Sequence, residues 1–348
     1  MQSQPTRIGY SALQLFFAIM LIACGSAGDK KTPADSAAPA ATPAPPTLPP
    51  ATDTVAPAIP GVVAAGTRVS VIKEGFDGTE GPVQHPDGSF LFTETRANRI
   101  DRIDSAGNVT SFMENTNGSN ALAFDAAGQL YSVQTTPGNM KIGIIFPAGS
   151  EKVLADNFEG KPFARPNDMV LAGNGGIYFS DFSTLAQPPE GTLSPAVYYI
   201  APLTNKAIKV AEGIARPNGV QLSTNERVLF VNDMFGHSLL GFDIQPDGML
   251  TNRRNFASYS GVTTDEKGAT VSGADGLAID SEGRVYAATR VGVQVFSARG
   301  DLLGVIPVSR QPQNIAFAGR NKKTLYIVGN GAAYKVEMLS QGFRGRAK

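Results

Sequence analysis

Between about residues 66 and 343 the chain alternates short apolar stretches with polar turns, and this alternation repeats. One unit reads NALAFDAAGQLYSVQ from Asn120, and another reads DGLAIDSEGRVYAAT from Asp275. In each, an Asn or Asp precedes an alternating apolar run, a polar turn follows, and a second run rich in β-branched and aromatic residues ends the unit. Such runs are typical of paired β-strands. Since no part of the region has sustained helical periodicity, the pattern predicts an all-β domain.

The unit occurs six times, and its leading residue always carries a side-chain oxygen: Glu80, Asn120, Asn167, Asn218, Asp275 and Asn314. In four copies a glycine stands eight residues after the leading residue, where a turn needs φ > 0. Glu226 and Lys322 take that place in the other two, within turns that we expect to be longer. The leading residues are 40, 47, 51, 57 and 39 positions apart. Each interval suits one four-stranded antiparallel sheet, so the repeat predicts a six-bladed β-propeller.

A propeller of this kind needs a strand from outside the last repeat to close it. The segment Thr67–Gly75, which reads TRVSVIKEG, precedes the first leading residue and is the predicted closing strand. A seven-bladed arrangement would require one unseen repeat, for instance within the 57-residue interval. A β-sandwich is a further alternative, but it gives no reason for a repeat of fixed phase.

The N-terminus predicts export and a lipid anchor. Arg7 is the only charged side chain before the apolar run Ser11–Ala23, which has the length of a signal-peptide core and is too short to span a bilayer. The run leads into LIAC, which resembles the lipobox of bacterial lipoproteins, where the cysteine becomes the lipidated first residue. Cys24 is the only cysteine of the chain. The alternative is a signal peptide followed by an incidental cysteine. We expect a Cys24→Ser form to leave the membrane fraction, and its retention there would contradict the anchor.

These signals divide the chain into four parts. Residues 1–23 are the predicted lipoprotein signal peptide, and residues 24–65 hold the lipidated cysteine and a tether rich in Pro and Ala. Such a composition has too little apolar surface to offset the entropy of ordering it. Residues 66–343 form the predicted propeller and residues 344–348 a tail. We therefore expect a lipoprotein of the bacterial cell envelope that faces the periplasm or the exterior and contacts the membrane through its lipid alone.

Composition excludes several kinds of site. The 30 basic and 30 acidic residues balance, which argues against nucleic acid as a partner, and we expect a monomer that acts on a small molecule. His85 and His237 are the only histidines. A zinc site of His and Cys is therefore not available, and a Ser–His–Asp triad lacks a nucleophile-elbow motif. Any metal must be held by oxygen atoms, which favours a hard cation.

The phase of the repeat brings the six leading residues together. Equivalent positions of successive blades lie on a circle around the propeller axis, so these side chains are predicted to line the rim of the central channel. Turns favour Asn and Asp on their own account, and this explains one or two of the six positions well. The alternative is a ring of oxygen ligands for a Ca²⁺-type ion, with the carboxylates of Glu80 and Asp275 offsetting its charge. Since six residues cannot all reach one ion, some of them are predicted to line the substrate pocket.

The segments EGP, RPNDMV…GGIYFSD, RPNGVQLS…LFVND, ADGLAID and NIAFAG…KTLYIV also resemble the gluconolactonase, senescence marker protein (regucalcin) and luciferin-regenerating enzyme family over about residues 67–338. Members of that family are six-bladed propellers with a divalent cation in the channel. The resemblance implies Ca²⁺, or another divalent cation such as Zn²⁺, Mg²⁺ or Mn²⁺. It places the metal ligands on Glu80, Asn167, Asn218 and Asp275.

These expectations combine into a metal-dependent hydrolase of lactones or related esters, in which water attacks a carbonyl polarised by the metal. Asp275 is the predicted catalytic base, although its role could be that of a ligand only. Asn120, Asn314 and Arg165 are the predicted substrate-binding residues. Asp181 and Asp233 could be pocket residues or strand-end caps. The alternatives are a non-catalytic envelope scaffold and a related phosphotriesterase or arylesterase. The stretch Ser132–Gly143 lacks the histidine that gluconolactonase-like members usually carry, which leaves the substrate open.

Overall fold

The computed structural model describes residues 48–182 and 191–346; Cys24 and the predicted signal peptide lie outside them. Within these ranges every regular element is a β-strand. No helix in this part of the chain is long and apolar enough to cross a membrane. The all-β class predicted from the alternating pattern is confirmed.

The strands form six antiparallel blades of four consecutive strands, except that the last blade takes strands from both ends of the chain. In chain order the strands are β1 Thr54–Val55, β2 Arg68–Glu74, β3 Thr79–Gln84, β4 Phe90–Glu94, β5 Arg99–Ile103, β6 Val109–Glu114, β7 Ser119–Phe124, β8 Leu130–Gln134, β9 Lys141–Phe146, β10 Lys152–Ala155, β11 Asn157–Phe158, β12 Lys161–Pro162, β13 Pro166–Leu171, β14 Ile177–Asp181, β15 Ala196–Ile200, β16 Ala207–Glu212, β17 Pro217–Leu222, β18 Val228–Asp233, β19 Ser238–Ile244, β20 Leu250–Ser258, β21 Thr263–Thr264, β22 Thr270–Val271, β23 Leu277–Ile279, β24 Val285–Thr289, β25 Gly292–Phe296, β26 Leu302–Ile306, β27 Asn314–Ala318, β28 Thr324–Gly329 and β29 Ala332–Glu337.

The blades close into a ring. Blades 1 to 5 are β3–β6, β7–β10, β13–β16, β17–β20 and β23–β26, and blade 6 has the order β1-β2-β29-β28-β27. The first strand of each blade contacts the first strand of the next, and β27 contacts β3. These six strands therefore surround the channel. The closing strand is β2, as the sequence predicts. The 57-residue interval holds only the hairpin β21–β22 in addition to blade 4, so a seventh blade is excluded.

The hydrophobic core lies between the blades. Because side chains of a strand point alternately to its two faces, each blade can bury one set against each neighbour. In β4, Phe90 and Phe92 pack against blade 6, while Leu91 between them packs against blade 2. Six such clusters alternate with the six blades. Because each blade is buried on both faces, the sequences of the inner strands are almost continuously apolar.

The turn between the first two strands has the same form in every blade. Five residues separate these strands throughout, for instance 85–89 in blade 1 and 223–227 in blade 4. The expectation of longer turns in blades 4 and 6 is therefore wrong. Glu226 and Lys322 adopt φ of 56° and 48°, in the same left-handed region as the glycines of the other four blades. This conformation is uncommon for residues with a Cβ, and the side chains of both residues bind Arg346 or its carbonyl group.

The folded body begins before residue 66. Residues 54–55 form β1, and the turn that follows buries Ile59, Val62 and Val63 against blades 5 and 6. At the other end, Arg346 is 9% exposed and donates to the carbonyl oxygen of Leu222 at 2.6 Å. The predicted boundaries at residues 65/66 and 343/344 thus assign to the tether and the tail residues that pack on the propeller. Their apolar and cationic side chains are buried there, which the composition of these segments does not indicate.

Candidate functional site

Bulges lie at four of the leading residues. In blades 1 to 4 the register of the first two strands shifts at the leading residue, as between Glu80 and Val83 or between Pro217 and Val220. A bulge releases residues from the ladder and changes the direction of their side chains. Asp275 instead lies just before β23, while Asn314 pairs regularly with Val328. A leading residue thus stands at the start of each channel-lining strand.

Hydrogen bonds between neighbouring blades run around the channel at this level. They are Thr93 Oγ1 to Asn120 O (2.9 Å), Asn120 Nδ2 to Asn167 O (3.0 Å), Val220 N to Asp168 Oδ2 (2.9 Å), Gly219 N to Asp275 O (3.1 Å), Gly276 N to Gln313 O (2.7 Å) and Asn314 Nδ2 to Glu80 Oε2 (3.2 Å). Each pair joins one blade to the next, so the six interfaces form a closed circle that we call the interblade ring. The ring holds the leading residues in fixed positions.

Two glycines allow neighbouring blades to approach this closely. A Cβ on Gly219 would lie 2.1 Å from the carbonyl oxygen of Asp275, and one on Gly276 would lie 1.9 Å from Asn314 Oδ1. Both distances are far below van der Waals contact. The glycines that follow Asn218 and Asp275 in the sequence are therefore required by the interblade ring.

Three of the four predicted metal ligands leave a buried oxygen without a hydrogen-bond partner. In the described part of the chain these atoms are Asn167 Oδ1, Asn218 Oδ1 and Asp275 Oδ1. Buried polar atoms are nearly always satisfied, and an unpaired one costs about 1–3 kcal/mol. The fourth predicted ligand, Glu80, accepts from Gln313 Nε2 at 3.3 Å and from Asn314 Nδ2 at 3.2 Å.

The electrostatics of this group favour a positive ligand. Burial raises the pKa of Asp275 well above its ordinary value, and the carboxylates of Glu80 and Asp168 raise it further. The guanidinium of Arg216 and a hydrogen bond from Asn218 act in the opposite direction. A concentration of buried negative charge is the environment that a divalent cation stabilises.

The residues present thus fit a hard cation. Glu80, Asn167, Asn218 and Asp275 would supply two carboxylates and two amide oxygens, which are the ligands that Ca²⁺ takes. Among the described residues no group of three or more His, Cys, Asp and Glu side chains could hold a metal ion. A site in this protein would therefore depend on the amide oxygens of the asparagines.

The predicted substrate-binding residues differ in their contacts. Asn120 uses Nδ2 in the interblade ring, and its Oδ1 accepts from Thr95 Oγ1 at 3.3 Å. Asn314 uses Nδ2 to hold Glu80, and its Oδ1 accepts from the N–H of Ile315 at 2.9 Å. Both amide atoms of each residue are therefore already engaged, which favours a supporting role over direct substrate binding. Arg165 is partly buried, and its guanidinium lies over the ring of Phe182.

Aspartates hold the two loops that read ARPN in the sequence, at residues 164–167 and 215–218. Asp181, at the end of β14, accepts from the N–H groups of Ala164 at 3.0 Å and Arg165 at 2.6 Å. In blade 4, Asp233 accepts in the same way from Ala215 at 3.3 Å and Arg216 at 3.0 Å. Burial raises the pKa of Asp181 to about 6 against these bonds. The structure thus identifies both aspartates as caps that position the loop before each leading asparagine.

Two arginines that precede the leading asparagines of blades 3 and 4 contact two phenylalanine rings. The guanidinium carbon of Arg165 lies 5.7 Å from the ring centre of Phe182, and that of Arg216 lies 4.5 Å from the same ring centre. Arg216 also lies 5.1 Å from the ring centre of Phe235. We call these four residues the Arg–Phe stack.

Sequence reasoning missed residues that support the site through their side chains. Asn232 donates to the carbonyl oxygen of Asp275, and its own Oδ1 accepts from the hydroxyl of Tyr259 at 2.6 Å. Gln313 supports Glu80, and Asp168 joins blades 3 and 4. All three are next to a residue that the repeat singles out: Asp233, Asn314 and Asn167. Their position in the repeat was the only signal that could have indicated them.

Comparisons with known proteins agree with this architecture. A gluconolactonase of Zymomonas mobilis is 24% identical over 315 residues, which cover 82% of this chain and 85% of the relative. A gluconolactonase structure from Xanthomonas campestris superposes with a TM-score of 0.70 at 24% identity and covers 86% of this chain and 99% of that one. A structure of regucalcin from Agrobacterium tumefaciens, described as a calcium-binding protein, has a TM-score of 0.62 at 17% identity, with coverage of 79% and 96%.

The family model described as "SMP-30/Gluconolactonase/LRE-like region" matches residues 78–330. This range runs from the start of blade 1 into blade 6 and contains all six leading residues. The chain therefore belongs to the SMP-30/gluconolactonase/LRE-like family.

Proposed function

We propose that this protein is a divalent-cation-dependent hydrolase of lactones, with Ca²⁺ as the favoured ion. The observation that carries the proposal is the set of buried oxygens without partners on Asn167, Asn218 and Asp275, next to the carboxylate of Glu80. A scaffold protein has no need for such atoms, since each is costly unless a ligand binds it. Membership of a family that includes gluconolactonases and a calcium-binding regucalcin supports both the reaction and the ion.

The four residues would hold the cation, and the cation would polarise the lactone carbonyl. The interblade ring keeps these residues in place, so that little reorganisation is needed during the reaction. Asp275 accepts a proton from the attacking water as the new C–O bond forms. The bond between the carbonyl carbon and the ring oxygen then breaks, and the proton passes to the alcohol of the ring-opened hydroxy acid.

The test is acid release from a panel of sugar, aliphatic and aromatic lactones, with Ca²⁺ and with a chelator. We expect turnover that chelation abolishes and that added Ca²⁺ restores. Asp275→Ala should lower kcat by about 100-fold or more, as expected for loss of a general base. Asp156→Ala removes an exposed carboxylate from the same protein and should leave the rate unchanged. No turnover on any lactone, or turnover indifferent to chelation, would contradict the proposal.

A further inference from the structure

The contacts of Arg216 are those expected of a residue that binds an anionic ligand. Its guanidinium stacks against Phe182 and Phe235, with ring centres 4.5 and 5.1 Å from its central carbon. Its Nε is buried and has no hydrogen-bond partner among the described residues. No carboxylate of these residues forms an ion pair with it within 4 Å. When a ring stacks on the face of a guanidinium, the N–H groups remain available in the plane of the group. A carboxylate can bind there with two hydrogen bonds.

This guanidinium lies close to the candidate site. Arg216 lies two residues before Asn218, and Asp233 fixes its backbone N–H at 3.0 Å. It is close enough to Asp275 for each charge to act on the other. The cation–π contacts with two rings hold the side chain in one orientation, so little entropy is lost when it binds a ligand.

The missing partner of Arg216 is a hydrogen-bond acceptor. In the described part of the chain no carboxylate pairs with this guanidinium within 4 Å, and its buried Nε has no acceptor. A carboxylate on the substrate would supply both, whereas a lactone without one would leave the buried N–H unsatisfied.

We propose that Arg216 determines substrate specificity and that the preferred substrates are lactones bearing a carboxylate substituent. This inference rests on the proposed lactone hydrolysis. The substrate carboxylate would bind the edge of the guanidinium, while the lactone carbonyl lies at the oxygens of Asn167, Asn218 and Asp275. Phe182 and Phe235 would remain in place as the supports of the Arg–Phe stack.

The experiment compares a matched pair of substrates, γ-valerolactone and γ-butyrolactone-γ-carboxylate, which differ by a methyl group against a carboxylate. We expect the wild type to favour the acidic lactone in kcat/KM by at least about 10-fold. Arg216→Gln should lower kcat/KM for that lactone by about 10- to 100-fold, mainly through KM, the range for loss of a charge-assisted hydrogen bond. The neutral lactone should change by less than about threefold.

Two further variants test whether the effect is specific to Arg216 and its supporting rings. Phe235→Leu removes one supporting ring from a side chain that is 36% exposed, so folding should be retained, and it should weaken the preference in the same direction. Arg227→Gln makes the same charge change at an exposed turn of blade 4 and should leave the preference intact. Equal losses on both lactones in Arg216→Gln, or a wild-type preference for the neutral one, would overturn the inference while leaving lactone hydrolysis standing.

If the wild type hydrolyses neither of these two lactones, binding decides the role of Arg216, and the full lactone panel decides the proposed function separately. Calorimetry with the ring-opened product 2-hydroxyglutarate and with the monocarboxylate γ-hydroxyvalerate gives this readout in the presence of Ca²⁺. Tighter binding of the dicarboxylate that Arg216→Gln reduces by about 10-fold supports the assignment. Equal binding of both compounds by the wild type contradicts it.

Discussion

At the residue scale, the six leading positions divide into two kinds according to what the neighbouring blade supplies. Asn120 and Asn314 find partners for both amide atoms, whereas Asn167 and Asn218 each retain one buried oxygen without a partner. The residue type is the same in all four. The difference therefore arises from contacts with the neighbouring blade. It gives Asn120 and Asn314 a structural role and Asn167 and Asn218 a ligand-binding role, although all four occupy the same position of the repeat.

This division predicts opposite behaviour of two matched variants. Asn120→Ala removes two hydrogen bonds and leaves the carbonyl of Asn167 without its donor, so we expect it to cost about 1–3 kcal/mol of stability. Asn218→Ala removes an oxygen that had no partner and a single hydrogen bond, from Asn218 to Asp275, so it should cost less in the absence of the ion. Saturating Ca²⁺ should raise the melting temperature of the wild type and of Asn120→Ala by about 5 °C or more.

Thermal unfolding with Ca²⁺ and with a chelator measures both effects without any assay of activity. In Asn218→Ala the Ca²⁺-dependent rise should be largely lost. A full rise in that variant would show that its amide oxygen does not bind the ion. Loss of the rise in Asn120→Ala alone would reverse the two roles.

The sequence indicates which residues reach the channel, because the repeat fixes their phase. It cannot indicate which of them are satisfied, because partners such as Thr95 and the Asn167 carbonyl for Asn120, or Glu80 for Asn314, lie 25, 47 and 234 residues away in the chain. Arg216 shows the same limit. Its type and its place before Asn218 are visible in the sequence, but its stacking on Phe182 and Phe235 depends on how two blades meet.

At the element scale, the two ARPN loops depend on a cap supplied by the second strand of the blade. Asp233 stands at the end of β18 and accepts from the N–H groups of Ala215, Arg216 and Phe235. Two of these groups belong to the Arg–Phe stack. The cap therefore couples the path of the backbone to the position of the guanidinium.

We expect Asp233→Ala to lower the free energy of unfolding by about 2–3 kcal/mol, because it leaves three backbone N–H groups without their acceptor. Asp243→Ala is the matched control, since that carboxylate pairs with Arg254 at the surface of the same blade at 2.7 Å. Exposed pairs contribute about 0–1 kcal/mol. Urea denaturation of both variants compares the two sites, and equal losses would contradict the capping role.

The alternation of apolar and polar residues predicts the strands and the blade count, because these depend on local propensity and on the period of burial. It predicts the shared turn in four blades but wrongly predicts longer turns in blades 4 and 6. It does not predict the bulges at Glu80, Asn120, Asn167 and Asn218, since a bulge changes pairing by one residue without altering composition. It also leaves the lengths of the intervals unexplained. The hairpins β11–β12 and β21–β22 account for the extra residues after blades 2 and 4.

At the scale of the whole molecule, both ends of the chain stabilise the ring. Strand β2 pairs with β29 and closes blade 6, while Arg346 binds Leu222 and Glu226 of blade 4. A ring of blades has no terminal blade to protect, but it must be closed by noncovalent contacts. The closing strand is visible in the sequence as an unassigned apolar run. The segment before this strand cannot be recognised in the same way, because it is rich in Pro and Ala and contains only a few residues that become buried.

Residues 48–65 stabilise the propeller through the side chains that they bury. A form that starts at Leu48 keeps Ile59, Val62 and Val63, each at most 1% exposed, in the core shared by blades 5 and 6. A form that starts at Gly66 loses them and uncovers the apolar residues beneath. Since a fully buried aliphatic side chain contributes about 1.5–3 kcal/mol, we expect the shorter form to be less stable by roughly 5 kcal/mol or more. Ile59→Ala in the longer form should cost about 2–4 kcal/mol, whereas Val55→Ala, at a residue that is 58% exposed, should cost less than about 1 kcal/mol. Urea denaturation of the two truncated forms and the two variants separates these outcomes. Equal stability of the forms starting at 48 and 66 would mean that residues 48–65 contribute nothing to the fold and that the propeller begins where the sequence alone placed it.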